Sequence, residues 1–75
     1  MHHDDAWARD LARVEEARAG TTDPVEAARL DGAVMVYRNV LHGDPMPGAP
    51  VGQVDLWRWE GILATQGLLA RAGGA

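Results

Sequence analysis

Gly20-Thr21-Thr22-Asp23-Pro24-Val25-Glu26 ends one helix and begins the next. Asp23 is a side chain that caps helix starts, because its carboxylate accepts from the first free backbone N–H groups. Pro24 suits the first helical position, where its missing N–H costs nothing and its φ is already helical. Glu26 lies three residues past the cap, placed to bond back to it. Gly20 is the expected stop of the preceding helix, since glycine tolerates the left-handed turn past a helix end. Only Gly20, Thr21 and Thr22 separate the two helices. So short a link makes antiparallel neighbours, an αα-hairpin.

The pattern upstream of the link predicts a first helix over residues 5–19. Trp7, Leu11, Val14 and the stem of Arg18 share one face at helical spacing. Asp5 with Arg9, Arg13 with Glu16 and Glu15 with Arg18 are spaced as helical ion pairs, each worth about 0.2–0.5 kcal/mol. Downstream, a second helix is predicted over residues 24–42, ending at Gly43. Its stripe is Leu30, Val34, Tyr37 and Leu41, with Ala27 and Ala33 beside it. Met35 falls off that stripe and reads as exposed. Residues 43–52 hold three of the four prolines, which exclude helix and favour extended backbone. They predict a stiff connector carrying the chain across the hairpin.

A third helix follows over residues 53–72, with Gly52 as its cap, Asp55 in its first turn and Arg71 in its last. At 100° per residue, Val54, Trp57, Gly61, Ala64 and Leu68 form one apolar stripe. Leu56, Trp59, Leu63 and Ala70 form a second on the far side, with Ile62 and Leu69 between. A surface helix usually keeps one apolar stripe and one polar face. A two-helix hairpin covers only one side of a third helix. The expected fold is therefore all-α: the hairpin plus the third helix, a small three-helix bundle completed by oligomerisation. The alternative has both stripes internal, with the connector folded over the second.

Seventy-five residues make one domain with a modest core. Without cysteine, neither a disulfide nor a thiolate zinc site can reinforce it. Packing and association remain. The net charge of −4 disfavours nucleic acid and anionic membrane as partners. No apolar run is long enough to span a bilayer. Met1-His2-His3-Asp4-Asp5 lacks the basic start and apolar stretch of a signal peptide, so the expected location is the cytoplasm. The absence of Lys, Ser and Phe suggests a GC-rich coding sequence of actinobacterial or phage type.

Absences also narrow the chemistry. Without Ser or Cys there is no nucleophile of the serine- or cysteine-protease kind, and without Lys no Schiff base. Acid–base work by carboxylate or histidine is what remains. Glu60, beside Trp59, is expected to bridge to Arg58 or Arg71. His42 suits the negative end of the second helix. A small helical enzyme or ligand-binding subunit would need Arg58, Glu60 and His42 to converge on a pocket at a dimer interface. His3, third after a free amino terminus, has the geometry for Cu(II) or Ni(II), a weak signal. No metal or other cofactor is otherwise expected. Successive residues of a helix point about 100° apart, so Trp57 and Trp59, two apart, make no single stacking platform. The favoured expectation is a non-enzymatic accessory or regulatory protein, such as a phage-encoded inhibitor. It would contact a protein partner, itself in a homodimer, or both, through Leu56, Trp57, Trp59, Leu63 and Leu68.

Overall fold

A computed structural model describes the backbone of residues 3–74 and the side chains of residues 4–72. Three helices make up the fold: α1 (His3–Gly20), α2 (Pro24–His42) and α3 (Gly52–Gly74), with no strand among the described residues. α2 is the middle helix. α1 and α3 each pack against it and barely meet one another.

The start of α2 forms around Asp23, whose backbone is extended and whose Oδ1 accepts the Val25 N–H at 3.1 Å. The bond back to the cap does not come from Glu26. Thr21 Oγ1 accepts the Asp23 N–H instead, at 3.2 Å. The link is so tight that a hydroxyl two residues upstream is nearer than a side chain on the next turn. Gly20 also departs from expectation, because it is the last helical residue and keeps a negative φ. α1 simply runs out into Thr21, whose N–H still reaches the Ala17 carbonyl. The left-handed stop is at Gly43, with φ 74° and its N–H on the Asn39 carbonyl. The Asn39 side chain closes the turn by donating to the Asp44 carbonyl at 2.8 Å. Residues 43–51 are non-helical, and Met46 from this segment packs against the core. Gly52, φ 84°, turns the chain into α3, and Asp55 there accepts the Val51 N–H.

Leu11, Val36, Tyr37, Ile62 and Leu69 form one core drawn from all three helices, with Trp7, Val14, Met35, Leu41 and Trp59 packed around it. Met35 is thus half-buried rather than exposed. α2 buries Ala28, Gly32, Val36 and Tyr37. Of the expected stripe, Tyr37 lies in the core and Val34 and Leu41 pack against it, and α2 buries further residues besides because a middle helix must serve two neighbours.

The contact between α2 and α3 is set by two glycines. A Cβ on Gly32 would fall on the Arg58 carbonyl and lie 2.9 Å from the Ile62 nitrogen. A Cβ on Gly61 would fall on the Arg29 carbonyl and lie 2.9 Å from the Arg29 Cα. The backbones touch, and only glycine permits that approach.

Three of the five ion pairs among the described residues tie helices together, and two lie within one helix. Arg18 pairs with Asp31 at 2.7 Å and Arg38 with Glu15 at 2.6 Å, joining α1 to α2. Glu15 and Arg18 therefore do not pair with each other, and Arg13 pairs with Asp10, not Glu16. Across the hairpin, an antiparallel neighbour offers the opposite charge without bending either side chain along its own helix.

Candidate functional site

Ile62 is 1% exposed, and it sits on the face of α3 that carries Thr65 and Leu69 as well. At 100° per residue these three fall within about 60° of arc. The two apolar stripes expected from the sequence flank this face, one on each side. Gly61 of the first stripe lies at the glycine crossing, and Thr65, Leu69 and Ile62 occupy the arc between the two stripes. Gln53, Glu60 and Arg71 lie opposite, within about 20° of one another.

Both flanks leave large apolar side chains in solvent. Leu56 is 45% exposed and Leu63 53%, on one flank. Val54 is 60% exposed and Leu68 51%, on the other. Trp57 and Trp59 are both half-buried, and Trp59 packs against the core. The structure thus brings Leu56, Trp59 and Leu63 together and sets Trp57 and Leu68 apart from them. Of the six large apolar residues exposed in the described chain, five lie between Val51 and Leu68, so the exposure is concentrated rather than dispersed.

Arg58, Glu60 and His42 do not converge. Arg58 is held by Asp55 one turn back. Glu60 is held by neither Arg58 nor Arg71. Its Oε1 accepts from both Nε and Nη2 of Arg29, at 3.0 and 2.8 Å, across the helix crossing. His42 stands exposed at the end of α2, ten residues past Gly32 and so about 15 Å along the axis from the crossing. The described residues enclose no pocket and hold no cluster of three or more potential metal-ligating His, Cys, Asp or Glu side chains. The His3 side chain, with Met1 and His2, lies outside what the structure describes. No helix among the described residues is long and apolar enough to cross a membrane.

Burial raises the pKa of Tyr37, and the nearby negative charge of Asp10 raises it further.

The residues missed from sequence are Gly32, Arg29 and Val51. Gly32 carried a signal, since a glycine inside a helix costs about 1 kcal/mol against alanine. Arg29 and Val51 carried none that local spacing could show. Comparison of the chain with protein-family models, with curated proteins and with solved structures returns no match.

Proposed function

We propose that this protein is a non-enzymatic accessory or regulatory protein of the cytoplasm, acting through protein–protein contact by α3. The observation that carries this reading is the flank of α3 formed by exposed Leu56 and Leu63 with half-buried Trp59 between them. Single exposed apolar residues are ordinary, but a contiguous set on one element marks a contact surface. Asp55, Arg58 and Glu60 beside it are engaged in ion pairs, which favours recognition over catalysis as its use. The proline-bearing segment 43–51 acts as a stiff crossover that presents α3 against the hairpin. Association then completes the bundle. An inhibitor that occludes a larger protein is one form of this activity.

The test is site-specific photo-cross-linking in the cell of origin. A photoreactive residue at position 63 is expected to give defined adducts, and one at position 16, on α1, is not. Equal or absent adducts from position 63 would remove the reading.

A further inference from the structure

We propose that Leu56, Trp59, Leu63, Gln66 and Ala70 form a seam that pairs, antiparallel, with the same seam of a second copy of this chain. The proposal rests on the contact reading above and names its partner. These positions recur at alternating three- and four-residue steps, the spacing of a two-helix seam. That stripe is narrower than the face a globular helix buries in its own core. Leu56, Leu63, Gln66 and Ala70 are exposed, and Trp59 is half-buried.

Size and charge both suit a second copy. In an antiparallel register that sets Leu63 against Gln66 of the other copy, Trp59 falls opposite Ala70, large against small. Glu60 and Arg71 lie on one side of the seam, about 20° apart on the helix. The same register brings Glu60 within a turn of Arg71 of the other copy. Arg29 engages only Oε1 of Glu60, leaving Oε2 for that contact.

Asp55 and Glu60 balance Arg58 and Arg71, so α3 is neutral while α1 and the links carry the net −4. Because α1 packs mainly on α2, pairing through α3 does not bring the two acidic helices into direct contact.

Sedimentation velocity of the full chain, from low micromolar to several hundred micromolar, tests the pairing. The weight-average mass is expected to rise from 8.1 kDa toward about twice that value. Leu63→Glu is expected to weaken association at least tenfold, and Arg71→Glu several-fold. Leu68→Glu, on the other flank, is expected to leave it unchanged. Far-UV circular dichroism checks that each variant is folded. The chain has no cysteine, so single introductions report orientation. Gln66→Cys is expected to oxidise to a linked dimer. Leu56→Cys is not, since its copies would lie about 25 Å apart along the axis. A monomer throughout, equal loss from Leu68→Glu, or ready linking through Leu56→Cys would overturn the pairing. Adducts from position 63 to an unrelated protein, with a monomer in sedimentation, would remove the second copy and keep the contact reading. Absence of both would remove both.

Discussion

Gly32 and Gly61 determine how closely α2 and α3 approach. Each would place a side-chain carbon against the other helix's backbone, and backbone cannot swing aside as a side-chain tip can. Gly61→Ala and Gly32→Ala are each expected to destabilise by about 1–3 kcal/mol or more, because the helices must separate to admit the methyl. Gly20→Ala is the contrast. That position is helical, has open space around it and a negative φ, so the change is expected to gain about 0.5–1 kcal/mol. Urea unfolding of the three variants side by side measures the sign at each position.

Tyr37 gives the second expectation at this scale. It is the only tyrosine, so phenolate absorbance reports it directly. Its folded pKa is raised, so on alkaline titration the unfolded chain ionises first and binds fewer protons than the folded one. The contribution of neutral Tyr37 is intact below about pH 10 and is lost as pH rises through the folded value. Tyr37→Phe is expected to flatten the fall in urea midpoint above pH 10. An unchanged slope would mean that other groups control the alkaline limb.

Elements here are punctuated by local chemistry. Asp23→Ala removes the cap of α2 and is expected to cost about 1 kcal/mol by thermal or urea unfolding. Much of this level was legible in advance. Asp23, Pro24 and Gly43 act through neighbours a few residues away, so their roles follow from order along the chain. Glu26 and Gly20 show where that logic stops. Thr21 took the bond expected of Glu26, and α1 needed no left-handed residue, because the geometry of a tight link depends on how the two helices are already packed. The ion pairs make the same point. Glu15 and Arg18 are spaced to pair within α1, yet each meets α2, and no spacing rule within one helix predicts an opposite charge on another. These pairs are roughly half-exposed, so Arg29→Ala is expected to cost no more than about 1 kcal/mol, with the loss shrinking in salt.

At the level of the whole molecule, a chain this short and free of disulfides has a net stability of only about 4–11 kcal/mol by the usual per-residue range. Association contributes visibly against so small a total. If copies pair through α3, the unfolding temperature is expected to rise with protein concentration, and Leu63→Glu to abolish that rise. Calorimetry at two concentrations differing by about a hundredfold decides it.

The three helices, the hairpin link and the excess of apolar surface on the last helix were determined by sequence alone, because caps, breakers and periodicity act over a few residues. Which arc of α3 faces inward was decided only by tertiary structure. The apolar pattern allowed either stripe to be buried, each with a tryptophan to offer. The glycines at 32 and 61 let two backbones meet, and that close approach seated Ile62, Thr65 and Leu69 in the interface. It turned Leu56 and Leu63 to one flank and Leu68 to the other, so the surface left for a partner is a product of where the helices cross.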